Sequence, residues 1–199
     1  MIDNIDLIKP LLDFQTDGDF YMLYIFKRKK DQTTDKSNHQ SVRTIKTYCI
    51  ENIEYLDARY DEIKQLCEMF KARAYIHIQK QNHKDVSLDM LAELATRIKN
   101  GHHKQVGLFE SVIGQIKTYE KRWIVDIDTK DDITIHRIAH IIDGLRPEGR
   151  KIESCIPTKN GCHLITKRFD VMEFKKKYHE IDIQKKNPTL LFYPDSLEN

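Results

Sequence analysis

The sequence has no long apolar run. None of its 199 residues lies in a stretch approaching the roughly 20 apolar residues that cross a bilayer. The opening MIDNIDLIKP also lacks the basic start and apolar centre of a secretory leader. Both absences lead to the expectation of a cytoplasmic protein without a membrane partner. Cysteine is scarce: Cys49, Cys67, Cys155 and Cys162 stand apart, with no CxxC pair. That argues against a structural zinc module and for reduced thiols. Neither sign of charge dominates. Lys and Arg number 33 against 31 Asp and Glu, a net charge of +2, so any nucleic-acid site must be a local patch rather than a basic coat. Gly (7) and Pro (5) are too few for a low-complexity or fibrous chain. The length allows one domain or two small ones packed together.

What is present is periodic. Phe20–Arg28 and Val42–Ile50 are rich in aromatic and β-branched residues and predict two strands. The polar stretch 29–41 between them reads as a mobile loop. Ile63, Leu66, Cys67 and Phe70 predict a helix over 56–70, and Ala72–Gln79 alternates as a strand. Leu88, Leu91, Ala95 and Ile98 mark the apolar stripe of a further helix, stopped by Asn100-Gly101. Phe109, Val112, Ile113 and Ile116 mark another. After Tyr119 the order becomes strand 122–128, helix through Ile135–Leu145, strands 150–156 and 162–167, helix 169–178, then strands at 181–183 and 189–193. This is the β-α-β-β-α-β, ferredoxin-like (RRM-like) order. The fold class expected is therefore α+β, with an α/β module over 1–119 and an RRM-like module over 120–199 forming one compact unit.

Three features carry chemistry. Asp126-Ile-Asp128 ends an apolar strand, and residues two apart on a strand share a face. Two carboxylates so placed, roughly 7 Å apart at the backbone, suit Mg²⁺ or Mn²⁺, hard cations shared with substrate phosphates. The competing reading is a helix cap, for which Asp131 or Asp132 is better placed. The second feature is Pro157-Thr158-Lys159-Asn160-Gly161-Cys162-His163. Thr158 and Lys159 can contact phosphate oxygens and Gly161 lets backbone approach a ligand; an ordinary Asn-Gly hairpin turn is the alternative. The third is Ile181-Asp182-Ile183, followed by Lys185 and Lys186. Asp182 lies between two isoleucines and would need a partner or a metal if buried; a solvated edge strand is the alternative, and Asp170 and Asp195 compete with it as a third acid.

Other candidates are weaker. His136 and His140 flank Arg137, where a metalloprotease helix requires Glu. His102-His103 follow a helix-ending glycine. Lys27, Arg28, Lys29 and Lys30 form a basic run that could follow a nucleic-acid backbone or simply be solvated. Arg73 sits alone on a predicted strand. Trp123 reads as core. Cys162 and His163 are strand neighbours and point to opposite faces.

Taken together, the three features resemble the archaeo-eukaryotic primase superfamily of primase-polymerases. Its hydrophobic-Asp-x-Asp motif is matched by Val125-Asp126-Ile127-Asp128, its turn ending in His by Thr158 to His163, and its later hydrophobic-Asp by Ile181-Asp182, all within 122–193. Gly161 stands where the family commonly has Ser. The resemblance implies that Asp126, Asp128 and Asp182 hold two divalent metals, Mg²⁺ or Mn²⁺. It also implies that His163, Thr158, Lys159, Asn160, Gly161 and Lys185 face an incoming nucleoside triphosphate. A 3′-hydroxyl would then attack the α-phosphate on a single-stranded template. A phage or mobile-element setting fits the small size, and a replication helicase is the partner class implied. Two other readings remain from the residues: a non-catalytic module binding nucleotide or nucleic acid, and a metal-dependent phosphodiesterase.

Overall fold

The computed structural model describes residues 1–28, 42–115 and 121–197. The loop expected over 29–41, with Lys29 and Lys30, lies outside them, as do Ile116 and the boundary near residue 119. The elements run β1 (Ile2–Asp3), α1 (Ile5–Ile8), β2 (Asp19–Arg28), β3 (Val42–Ile50), α2 (Ile53–Phe70), β4 (Arg73–Ile76), β5 (Gln81–Asn82), α3 (His83–Lys99) and α4 (Leu108–Gln115). Then come β6 (Trp123–Ile127), α5 (Asp132–Gly144), β7 (Ile152–Pro157), β8 (Cys162–Thr166), α6 (Val171–Lys177), β9 (Asp182–Gln184) and β10 (Thr189–Tyr193). The fold is mixed α+β. No helix among the described residues is long and apolar enough to cross a membrane.

Two antiparallel sheets organise the chain. The first has the order β1-β10-β4-β2-β3, with β5 added at the start of β2; the second has the order β7-β8-β6-β9. Thus β10, expected to close the second sheet, instead pairs with β1 and β4 in the first. The chain after residue 120 therefore serves both sheets. Only long-range pairing decides this, and strand propensity carries no information about it.

Side-chain alternation assigns the faces. On β2, Tyr21, Leu23 and Ile25 enter the main core against α2, which contributes Leu56, Tyr60, Ile63 and Cys67. Phe20 and Met22 point the other way, under Val86 of α3 and Leu108, Val112 and Ile113 of α4. In the second sheet Trp123, Val125 and Ile127 face α5 and α6, meeting Ile138, Ile142 and Phe174. The opposite face sends Ile124, Ile156 and Ile165 into the main core, so one apolar body joins the two sheets. Polar ties reinforce the joint. The buried Asn4 amide donates to the carbonyls of Pro157 and Leu190, both at 2.9 Å. Arg122 donates to Glu153 at 2.6 Å and to the Leu11 carbonyl at 2.8 Å.

Helix α3 departs from expectation. Its stripe Leu88, Leu91, Ala95 and Ile98 faces outward, and the body is met instead by Val86, Met90 and Leu94. Both sets have helical spacing, so periodicity alone could not rank them.

If Ile124, Ile156 and Ile165 join the sheets, Ile165→Ala should lower the unfolding free energy by about 2–4 kcal/mol, the range for truncating a buried aliphatic residue. Urea denaturation followed by circular dichroism measures this, and a loss below about 1 kcal/mol would contradict the shared core.

Candidate active site

The site begins with the parity of β6. Ile124 is in the core, so Asp126 and Asp128 share its face, two and four residues further on. There the apolar packing ends and a cleft of about 710 Å³ opens between the sheets, lined by Asp126, Asp128, Thr158, Lys159, Asn160 and His163 from the second-sheet side. Register completes a row across three strands: Asp126 stands opposite His163 on β8 and opposite Asp182 on β9.

The row is wired by hydrogen bonds. The Gln184 side-chain amide donates to Asp126 Oδ2 at 3.2 Å and to Asp182 Oδ2 at 3.0 Å. His163 is buried, with Nδ1 2.9 Å from Thr189 Oγ1 and Nε2 facing Asp126 Oδ1 at 3.5 Å. Burial, with the Arg28 charge second, pushes the His163 pKa down to about 4. The ring is therefore neutral at pH 7, and its contact with Asp126 is not an ion pair. The tautomer that suits both neighbours carries its hydrogen on Nε2, toward the carboxylate, and accepts the Thr189 hydroxyl at Nδ1.

Burial, then repulsion from Asp128 and Asp182, raises the Asp126 pKa, while Arg28 and the Gln184 amide oppose the rise. Perturbation of this kind, a half-buried acid among acids in a cleft, marks functional sites more often than structural ones. Among the described residues no three His, Cys, Asp or Glu side chains form a ready-made cation site. The donor set nonetheless suits a hard cation: Asp126 and Asp128 share one face of the cleft, and their oxygens carry repulsion that a divalent cation would relieve. Asp126 and Asp128 are the cleft residues that could hold it, with Asp182 opposite Asp126 on β9 and outside the lining.

The opposing wall comes from the first sheet. Phe26, Arg28, Arg73, Tyr75 and Leu190 line it. Phe26 and Tyr75 stack at 4.5 Å between centroids, 4° from parallel. Tyr193, buried on β10, lies under the Arg73 guanidinium at 4.8 Å and receives a hydrogen bond from Lys159 Nζ at 3.0 Å. One aromatic ring thus positions a cation from each module. Of this wall the sequence suggested only Arg28, within the basic run 27–30, and Arg73, as a single basic residue. Gln184 went unnoticed, although it shares the Asp182 face two residues on. The roles of Thr189 and Tyr193 depend on the placement of β10, and that of Tyr75 on the pairing of β4 with β2, neither of which had a local signal.

Several expected residues stand elsewhere. Lys185 lies over the Trp123 ring at 4.9 Å and is not part of the cleft lining. Asp182 is exposed at the start of β9, so it needs no buried partner, and it too lies outside the lining. Its competitors are occupied: Asp170 caps α6 and Asp195 pairs with the amino terminus. Asp131 caps α5, which leaves Asp126 and Asp128 free of a capping role. Gly161 does not adopt a positive φ. A Cβ on it would lie 1.9 Å from the Ile127 carbonyl oxygen, so glycine is required for the hairpin to pack against the end of β6. The turn is closed by Thr158, whose amide donates to the Gly161 carbonyl at 2.8 Å and whose hydroxyl accepts from the Gly161 amide at 3.2 Å.

Gly161→Ala should therefore destabilise the protein by more than about 2 kcal/mol, a steric effect measured by chemical denaturation; a near-neutral change would show that the loop is not seated on β6. The pH dependence of stability follows from His163 and from His77, which burial also holds at about 4. Between pH 6.5, the ordinary histidine value, and about 4 the unfolded chain binds more protons than the folded one. Stability is thus complete above this window and is lost as pH falls through it. Melting temperatures measured across the window should decline more gently for His163→Gln than for the wild type. No known protein family, curated protein or solved structure matches the chain, and its function is therefore read from the cleft.

Proposed function

We propose that the protein is a divalent-metal-dependent nucleotidyltransferase of the primase or primase-polymerase kind, adding nucleotides from NTPs or dNTPs along a single-stranded template. The observation that carries this reading is the opposition of two walls in one cleft, Asp126 and Asp128 with Lys159 beside them facing Arg28 and Arg73. A triphosphate needs both: cations for its oxygens, and carboxylates for the metal that travels with it. The order β7-β8-β6-β9 with β-α-β-β-α-β connections is the RRM-like order implied by the resemblance, and it supports the reading.

The residues divide the work. Asp126, Asp128 and Asp182 would hold Mg²⁺ or Mn²⁺, which when bound neutralises charge on the reacting phosphate and favours ionisation of the attacking hydroxyl. Arg28 and Arg73 offer planar forks to phosphate oxygens, with Lys159 as a point charge between the modules. The neutral His163, fixed by Thr189, orients the Asp126 carboxylate from one side while Gln184 does so from the other. The Phe26–Tyr75 stack gives the nucleotide or template base an apolar neighbour. Catalysis of this type rests on alignment and charge placement.

The test is product analysis with labelled single-stranded template, nucleoside triphosphates and Mg²⁺ or Mn²⁺. Wild-type protein should produce new or lengthened strands. The Asp126→Ala/Asp128→Ala variant should lose at least about a hundredfold in rate, as expected when charge-stabilising groups are removed, while melting as a folded protein. Shortened strands would replace the reading with a phosphodiesterase, and unchanged strands with a binding module.

A further inference from the structure

We propose that two copies of the chain pair antiparallel through α3, burying the apolar stripe that the fold leaves outside. The stripe is Leu88, Leu91, Ala95 and Ile98, at successive spacings of three, four and three residues, and all four are exposed; Leu88 keeps 55%, Leu91 65% and Ile98 51% of its surface in water. These are a and d positions of a heptad, the pattern of a helix that pairs with another helix. Attachment to its own body does not use them. Val86, Met90 and Leu94 on another side of α3 do that, together with Leu108, Val112 and Ile113 of α4. A helix with two apolar sides has one more than its own fold covers.

Charge identifies the occupant. The first turn of α3 carries Asp85 and the last turn carries Arg97 and Lys99. Lys84 adjoins Asp85 in the first turn, so the complementarity lies in Asp85 and Lys99, which share one flank of the stripe, and antiparallel helix dipoles attract each other. In antiparallel heptad packing each a position meets a d position. Leu88 then packs on the partner's Ile98, and Leu91 on the partner's Ala95, with each contact repeated by the two-fold axis. The same register sets Asp85 beside the partner's Lys99, twice. In parallel pairing Asp85 and Lys99, both e positions, would face the partner's g positions, and Ser87 and Leu94 at g in α3 offer neither an opposite charge. Both residues are exposed and lie on the flank of the stripe.

The contact is modest. Four side chains over about 15 Å of helix fall short of the roughly 1,200 Å² of a stable interface, so the pair is reversible and concentration-dependent. It is independent of the proposed chemistry. Helix α3 packs on the Phe20–Met22 end of β2, whereas the cleft uses Phe26 and Arg28 at the other end.

Sedimentation velocity over a concentration series tests the proposal on the full chain. The wild type should shift from monomer toward dimer as concentration rises. Leu91→Glu should remain monomeric at an unchanged melting temperature, since the side chain is exposed. Asp85→Lys and Lys99→Glu should each weaken the dimer by about five- to tenfold, because two like-charge contacts replace two attractive ones. The double reversal Asp85→Lys/Lys99→Glu should restore it. A wild type that stays monomeric throughout, a dimer untouched by Leu91→Glu, or a double reversal no better than the single ones would each overturn the pairing.

Discussion

The cleft depends on the parity of one short strand. On β6 every second side chain faces the first sheet, and along that face Ile124 is followed by Asp126 and Asp128. Ile124 closes the apolar joint with Ile156 and Ile165, and the acids stand where that joint ends. A slip of one residue would exchange Asp126 for Val125 or Ile127 and turn the carboxylates into the helix-covered core. The hairpin is seated on the same strand end, with Gly161 against the Ile127 carbonyl, so His163 inherits its position from the same parity.

This arrangement opposes stability locally. Burial and two acidic neighbours raise the Asp126 pKa, and a neutral histidine is kept beside it in place of a countercharge. A protein selected only to fold would place apolar residues here, as it does at Ile124 and Ile165. The Gln184 amide donates to the carboxylate without neutralising it, and His163 Nε2 stands 3.5 Å from its other oxygen. The negative potential is thus preserved for something brought in from outside, and the cationic wall of the first sheet faces it across the cleft. Strand β10 fixes His163 through Thr189, and both Arg73 and Lys159 through Tyr193.

Much of this was legible from local pattern. The alternation in Trp123–Asp128 places the two acids on one face, and the β-α-β-β order from 122 to 167 emerges from turn signals and periodicity. The α5 cap at Asp131 follows from its position before the helix. What was not legible depends on long-range pairing. Residues 189–193 read as a strand, but nothing in TLLFY says which sheet receives it, and with it went Thr189 and Tyr193. Arg73 between two alanines looked like a lone charge, and Arg28 like one member of the basic run 27–30, because their shared wall exists only once β2 and β4 pair. Helix α3 misled for a different reason. Two apolar stripes share its surface, and the more regular one, Leu88-Leu91-Ala95-Ile98, faces water.

The central claim is that the acids of β6 and the cations of the first sheet together bind a metal-borne triphosphate. Thermal melting with Mn²⁺ and a nucleoside triphosphate, singly and together, tests it on the wild type and on Asp126→Ala/Asp128→Ala. Because a ligand that binds only the folded state raises the melting temperature by mass action, the wild type should gain most when both are present and the double variant should not gain. No rise in the wild type, or an equal rise in the variant, would contradict the account.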